Sequence, residues 1–269
     1  MPEGDTIFRT ARTLQRALAG QVVTKFESVL PKLSRVDEDT PIAGRVVERV
    51  EARGKWLQIY FSGDLVLLTH MLMSGSWHIY RPGERWQRPR SQMRIALYTD
   101  LFVGVAFQVP VAEFHTAYSL ARHRGVASLG PDVLAADFDE AMAVERLKMH
   151  PDLEIGEALL RQSIVAGLGN VFKNEVCFAS RVHPFRRVSS LTGAEMEALM
   201  KNARAFLVAN AMGVSPMRTT TKMLDREERL WVYQRTGEPC RICGAAIRSR
   251  KQGMDARGTY WCPVCQGMG

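Results

Sequence analysis

The residues best suited to chemistry lie at the two ends of this chain. The last thirty residues carry Cys240-Arg241-Ile242-Cys243 and Cys262-Pro263-Val264-Cys265, two Cys-x-x-Cys pairs separated by eighteen residues. Two such knuckles place four thiolates tetrahedrally around one Zn²⁺ and leave no position for water, so the implied site is structural. A pair of redox dithiols is the alternative, but it does not need two knuckles. The other end reads Met1-Pro2-Glu3-Gly4-Asp5-Thr6. Once Met1 is removed, Pro2 is a free secondary amine, a nucleophile toward a carbonyl or acetal carbon that goes on to an iminium ion. Glu3 is then the adjacent acid/base. Chains beginning Met-Pro-Glu are common, so the pair by itself decides nothing.

Elements must position these groups. From Asp5 to Ala19 the apolar residues Ile7, Phe8, Ala11, Leu14, Ala17 and Leu18 recur at helical spacing and stop at Gly20. This helix holds Pro2 and Glu3 at its N-terminus, where unpaired N–H groups favour an anion. Short β-like runs follow at Val22–Phe26, Val46–Val50, Trp56–Phe61 and Leu65–Thr69, split by Gly44, Gly54 and Gly63, and then at Met93–Tyr98 and Leu101–Phe107. That pattern predicts an antiparallel sandwich. Lys55, in Arg53-Gly54-Lys55-Trp56, stands at the mouth of a strand, where a lysine is ordinarily just solvated. Met71, Leu72 and Met73 adjoin a Ser74-Gly75-Ser76 turn. Such side chains are core residues in most settings, but on a loop they are able to wedge into a stack of bases.

Leu129-Gly130-Pro131-Asp132-Val133-Leu134 ends the β-rich region. Beyond it four helices are expected, opening at Phe138-Asp139-Glu140 and then spanning Ile155–Ser163, Asn170–Ser180 and Thr192–Ala211, the last with a Thr192/Glu195 capping box. Val165-Ala166-Gly167-Leu168-Gly169-Asn170 is a glycine turn feeding a helix N-terminus, either a phosphate clamp or a plain helix–helix turn. Ser215–Arg229 has charge without apolar periodicity and reads as a mobile linker. Between the cysteine pairs, basic residues mix with Tyr260 and Trp261 in a β-hairpin pattern that puts Arg257 at the tip.

Composition sets the outer limits. The chain has 269 residues, 46% apolar and 24% charged, as in an ordinary globular protein. Neither a bilayer-length apolar run nor a signal-peptide pattern is present, so the expectation is a cytoplasmic protein with no membrane partner. A net charge of +8 suits a polyanionic partner without identifying one. Cys177, in Val176-Cys177-Phe178, reads as a small core residue.

Together these stretches resemble the formamidopyrimidine-DNA glycosylase/endonuclease VIII family over nearly the whole chain. The resemblance is carried by Pro2-Glu3-Gly4, Arg53-Gly54-Lys55, the stretch from His70 to Gly75, the stretch from Gly167 to Glu175, Val232-Tyr233-Gln234-Arg235 and the zinc hairpin ending at Cys262. The Gly4-Asp5-Thr6 continuation is closer to the endonuclease VIII branch. The implied fold is α+β: an N-terminal catalytic β-sandwich with flanking helices over residues 1–130, a hinge at 131–136, a helical helix–two-turn–helix domain at 137–229 and a zinc finger at 230–269. The implied activity is that of a bifunctional DNA glycosylase/AP lyase, working as a monomer on damaged DNA in base-excision repair at the bacterial nucleoid. Pro2 would be the nucleophile, Glu3 the proton donor and Lys55 a phosphate contact. Asn170, Lys173 and Arg257 would contact DNA, Met73 and Leu72 would fill the space left by a flipped nucleotide, and Cys240, Cys243, Cys262 and Cys265 would bind Zn²⁺. Two departures matter. Asp5 and Thr6 replace a second Pro-Glu pair, and Val109–Phe114 lacks the Asp-Pro-Arg-Arg-Phe-Gly run of the guanine-specific branch. Oxidised pyrimidines are therefore the expected substrates. The alternatives are a guanine-lesion glycosylase of the same family, a catalytically inactive zinc-finger DNA-binding protein, and a zinc-ribbon RNA-binding protein.

Overall fold

A computed structural model of the chain describes residues 2–213, 215, 217–221 and 228–267. The chain divides into two compact units, Met1–Ser128 and Leu129–Gly269.

The first unit opens with α1 (Gly4–Leu18), and then runs β1 (Lys25–Ser28), α2 (Pro31–Asp39), β2 (Val47–Arg53), β3 (Trp56–Phe61), β4 (Leu65–His70), β5 (Ser76–Tyr80), β6 (Met93–Tyr98), β7 (Val103–Phe107), β8 (Val111–His115), α3 (Ala117–Arg122) and α4 (Arg124–Ala127). The strands form two four-stranded sheets of order β1-β6-β7-β5 and β2-β3-β4-β8, with every pairing antiparallel. One core joins them. Ile7, Leu14 and Leu18 of α1 pack with Val47, Leu57 and Ile59 of one sheet and Ile95, Leu97 and Ala106 of the other. The helix comes so close to β7 that a Cβ at Gly104 would lie 3.1 Å from Leu18 Cδ1. The period-2 rule leaves Trp56 and Tyr60 on the opposite face of β3 from Leu57 and Ile59. There they meet Val66, Leu68, Leu120 and Val126, so α3 and α4 cover this outer face.

Several of these elements go beyond the sequence expectation. β8 covers residues 111–114 of the segment 109–114 read for intercalating residues, and pairs with β4 from Val66↔His115 to His70↔Val111. β5 begins at the end of the Ser-Gly-Ser turn, at Ser76. α2 carries the Pro at its start that favours a first helical turn.

The second unit holds α5 (Glu140–Lys148), α6 (Ile155–Ala158), α7 (Asn170–Ala179), α8 (Gly193–Met212), β9 (Arg248–Gln252) and β10 (Arg257–Trp261). Asp139 caps α5 through Met142 N, and Thr192 and Glu195 close the expected capping box on α8. The helix expected over Ile155–Ser163 shortens to a single turn. Its first backbone N–H groups go to Arg186 O and Pro184 O, and the Gln162 side chain takes up backbone groups of Leu160, Gly167 and Leu168. After Leu159 N, which donates to Ile155 O, the next two backbone N–H groups tighten into i→i−3 turns, Leu160 N to Glu157 O and Arg161 N to Ala158 O.

The expected hinge is also different. Val133 is fully buried, its N–H donates to Ala166 O, and the Arg204 guanidinium holds Val133 O and Ala135 O. Residues 132–135 are thus stitched into the second unit. Of the expected linker Ser215–Arg229, residues 216 and 222–227 lie outside the described residues. Thr219, by contrast, exchanges two hydrogen bonds of 2.8 Å with the Asn210 side chain, and Thr220 bonds Arg229 O and Glu175. No helix among the described residues is long and apolar enough to cross a membrane.

Candidate functional site

In the first unit the site starts at the head of α1. Glu3 is the N-cap residue: its carbonyl accepts from Thr6 N at 3.0 Å and Ile7 N at 3.1 Å, and its side chain is completely buried. Pro2, just before it, is half-buried. Asp5, in the first turn, is buried as well.

Lys55 lies in the two-residue turn Gly54-Lys55 that joins β2 to β3, with Arg53 paired to Trp56 across it. Gly54 adopts φ 58°, the left-handed region that a short hairpin turn of this kind requires. Trp56 pairs with His70 in the register of β3 and β4, and their rings meet edge-on at 4.7 Å. Burial pushes the His70 pKa down to about 4, with the Lys55 charge acting in the same direction. His70 is therefore neutral at physiological pH, and its unprotonated Nδ1 accepts from Leu72 N at 3.1 Å.

That bond orients the loop that follows. Met71 is anchored in the core, while Leu72 and Met73 are 47% and 63% exposed. Gly75 N closes the turn onto Met71 O at 2.9 Å, and a Cβ at Gly75 would sit 2.7 Å from that oxygen. Leu72 adopts φ 46°, a conformation unfavourable for a branched side chain. Two apolar side chains are held in water at the cost of backbone strain.

In the second unit, α7 grips the β-hairpin through one face. Asn170, Lys173 and Asn174 are three and four residues apart and so project together. Asn170 Nδ2 donates to Gly258 O at 3.0 Å, Lys173 Nζ to Thr259 Oγ1 at 2.6 Å, and Asn174 Oδ1 accepts from Tyr260 N at 2.7 Å. The grip fixes Arg257, the first residue of β10, beside the N-terminus of α7. Arg257 remains partly exposed, with its guanidinium 3.8 Å from the Asp255 carboxylate. Asn170 Oδ1 is buried without a hydrogen-bond partner among the described residues.

Lys173 departs from its expected place on DNA. Its side chain is fully buried and its ammonium meets Thr259, which donates to Gln252 Oε1; Gln252 in turn donates to Glu154 and Pro184 O. A lysine closed off in this way aligns helix and hairpin and presents no charge to a phosphate.

Glu175, next in the same helix, was not singled out from the sequence. Its buried carboxylate accepts from Trp231 N at 2.7 Å, Val232 N at 3.0 Å, Tyr233 N at 2.9 Å and the Thr220 hydroxyl. Burial raises its pKa, and these donors work against the rise. Its place in the stretch from Gly167 to Glu175 was visible, but its partners lie more than forty residues further along the chain.

The four cysteines converge. Their sulfurs all lie within 4.8 Å of one another, with Cys240–Cys265 at 3.8 Å and Cys243–Cys262 at 3.4 Å. A disulfide would need about 2.05 Å, whereas a tetrahedron with Zn–S bonds of about 2.3 Å has edges of about 3.8 Å. Backbone N–H groups of Ile242 and Cys265 point at Cys240 Sγ and Cys262 Sγ. The site binds one structural zinc ion. Cys240 and Cys262 also pack with Phe178, Val232 and Ile247, so the metal orders a small core of its own.

An antiparallel sandwich headed by a buried Glu at a helix N-terminus, together with a helix–hairpin grip closed by a four-cysteine zinc site, defines a DNA-glycosylase class of fold. The family model described as the formamidopyrimidine-DNA glycosylase N-terminal domain matches residues 1–109, its H2TH domain matches 129–223, and the zinc finger found in FPG and IleRS matches 237–267. The chain belongs to the formamidopyrimidine-DNA glycosylase/endonuclease VIII family. It is 39% identical over 269 residues to the probable endonuclease 8 2 of Streptomyces coelicolor, covering 99% of this chain and 94% of that protein. It is 37% identical to the DNA-(apurinic or apyrimidinic site) lyase Nei2 of Mycolicibacterium smegmatis, covering 99% of each. Among solved structures, Lactococcus lactis Fpg in complex with DNA containing an abasic site aligns with a TM-score of 0.83 and 26% identity, over 99% of this chain and 100% of that one.

Proposed function

We propose that this protein is a bifunctional DNA glycosylase and AP lyase of base-excision repair, with Pro2 as its nucleophile. The observation that carries the reading is the head of α1, where a half-buried Pro2 adjoins a fully buried Glu3 at the positive end of a helix. The Pro2 nitrogen, as a free terminus, attacks C1′ of the damaged nucleotide, and the glycosidic bond breaks with its electron pair leaving on the base, which takes up the proton that the Pro2 nitrogen loses. Glu3 protonates the sugar ring oxygen as the ring opens to the iminium. Loss of a C2′ proton then expels the 3′ phosphate, and a second elimination expels the 5′ phosphate. Flipping precedes all of this, because C1′ and the base are otherwise enclosed in the duplex. Leu72 and Met73 take the vacated space, as apolar wedges do. Lys55 contacts a phosphate from the first unit, and Asn170 and Arg257 contact phosphates from the second.

Oxidised pyrimidines are the proposed substrates. In support, the segment 109–114 carries no Arg and no Asp-Pro-Arg-Arg-Phe-Gly run, and its residues 111–114 are paired in a strand. The protein works as a monomer in the cytoplasm. Borohydride trapping on duplexes carrying an abasic site, thymine glycol, dihydrouracil or 8-oxoguanine tests the scheme. The expected result is a covalent adduct on the abasic site that disappears when Met1 is retained and falls strongly in Pro2→Gly. Failure of the wild type to give any adduct there would reject the lyase mechanism. Stronger trapping on 8-oxoguanine than on the pyrimidine lesions would reject the substrate class alone.

A further inference from the structure

On the outer face of the first unit's second sheet, three metal-ligating side chains that the repair chemistry does not use face one another. Glu113 and His115 stand two residues apart at the end of β8, so they share one side of the strand. His123 joins α3 to α4 and returns over them. His115 Nε2 lies 3.2 Å from Glu113 Oε2, His123 Nε2 lies 3.7 Å from the same oxygen, and the three ligand atoms are within 4.8 Å of each other. Ligands at about 2.0–2.2 Å from a zinc ion are separated by about 3.3 Å in a tetrahedron, so little movement is needed to receive one.

The surroundings of the two rings suit coordination. His115 Nδ1 is 3.1 Å from Ser119 Oγ, the kind of outer partner that fixes the ring of a metal-bound histidine and leaves Nε2 for the ion. His123 Nδ1 is buried without a partner among the described residues, so Nε2 is the nitrogen through which this ring meets a polar group. The two rings meet edge-on at 5.2 Å, and Trp56 walls the site at 5.0 Å from the His123 ring.

We propose that Glu113, His115 and His123 form a second metal site, taking a borderline divalent first-row ion such as Zn²⁺ through two imidazole nitrogens and one carboxylate. This donor set suits Zn²⁺ and its neighbours and gives no preference to Ca²⁺ or Mg²⁺, which take oxygen ligands. Three protein ligands leave a position for water. The ion ties the end of β8 to the α3–α4 junction, directly behind the tryptophan that packs on His70.

The test is zinc stoichiometry by equilibrium dialysis of untagged, full-length protein without DNA at neutral pH, with the bound metal counted by elemental analysis. The wild type is expected to hold two zinc ions per chain in excess zinc, and His115→Gln and His123→Gln one each, a twofold drop with the four-cysteine ion retained. Excess zinc is also expected to raise the Tm of the wild type but not of the variants, since an ion that binds only the folded chain stabilises it by mass action. If one His variant fails to fold, the other and Glu113→Gln carry the comparison. A wild type that holds a single zinc ion in excess metal overturns the proposal. So does a folded His variant that keeps the second ion.

Discussion

Glu3 has two jobs at one position. Its carbonyl starts the hydrogen-bond ladder of α1, while its side chain is sealed from water. A change confined to the carboxylate separates them. Glu3→Gln keeps the cap and the volume, so its Tm is expected to stay close to that of the wild type, while base excision measured by strand nicking falls by at least about 100-fold, the usual scale for a lost acid/base group. Preserved nicking in a folded Glu3→Gln protein would remove Glu3 from the proton-transfer role. His70 offers a second test at this scale. Its folded pKa of about 4 lies below the ordinary 6.5, so the unfolded chain binds more protons between these values. Stability is complete above pH 6.5 and is lost as pH falls toward 4, where protonation also removes the acceptor for Leu72 N. The Tm of the wild type is therefore expected to fall more steeply across that window than the Tm of His70→Gln; parallel curves would exclude His70 as the cause.

At the scale of elements, the zinc hairpin is the piece whose order depends most on something other than its own chain. Its buried apolar residues are few, and two of them are the metal ligands Cys240 and Cys262. Apparent zinc-binding energies of about 10–16 kcal/mol are typical of such modules. Chelation is expected to release residues 237–267 to fast amide exchange while α1 and its sheets stay protected, and equal protection with and without metal would refute this. The hairpin also shows where sequence reading reached and where it stopped. Its two knuckles and Arg257 were legible because metal ligands and turns are local signals. The burial of Lys173 was not, because Thr259 lies 86 residues away and only the fold brings them together. The same contrast holds elsewhere. The strands Trp56–Phe61 and Met93–Tyr98 and the capped helix α8 follow directly from periodicity and capping. The segment 155–163 had the apolar content of a helix, yet after one turn its backbone passes into i→i−3 turns, with the Gln162 side chain holding backbone groups of Leu160, Gly167 and Leu168. The Pro2–Glu3 pair became interpretable only alongside the distant cysteines and the glycine turn.

Across the whole molecule, the charge of +8 makes DNA affinity sensitive to salt, and the slope counts phosphate contacts. Lys55→Ala and Arg257→Ala are each expected to weaken binding to an abasic-site duplex and to reduce the log–log salt slope by about 0.9, the loss of one phosphate contact. Lys173→Met, whose charge is buried, is expected to leave the slope unchanged even where it lowers the affinity. A slope unchanged by Arg257→Ala would remove that residue from the phosphate grip.

The carboxylate of Glu175 has a consequence for how such proteins exchange parts. The finger looks like a cassette, with its own metal and its own small core. Yet the chain entering it is pinned at Trp231, Val232 and Tyr233 by a single side chain of α7. A chimera joined at Gly237 leaves that clasp whole, whereas one joined upstream of Trp231 pairs a foreign segment with a native acid. Chimeras joined after Tyr233 are thus expected to keep the helix and the entry segment together as one piece.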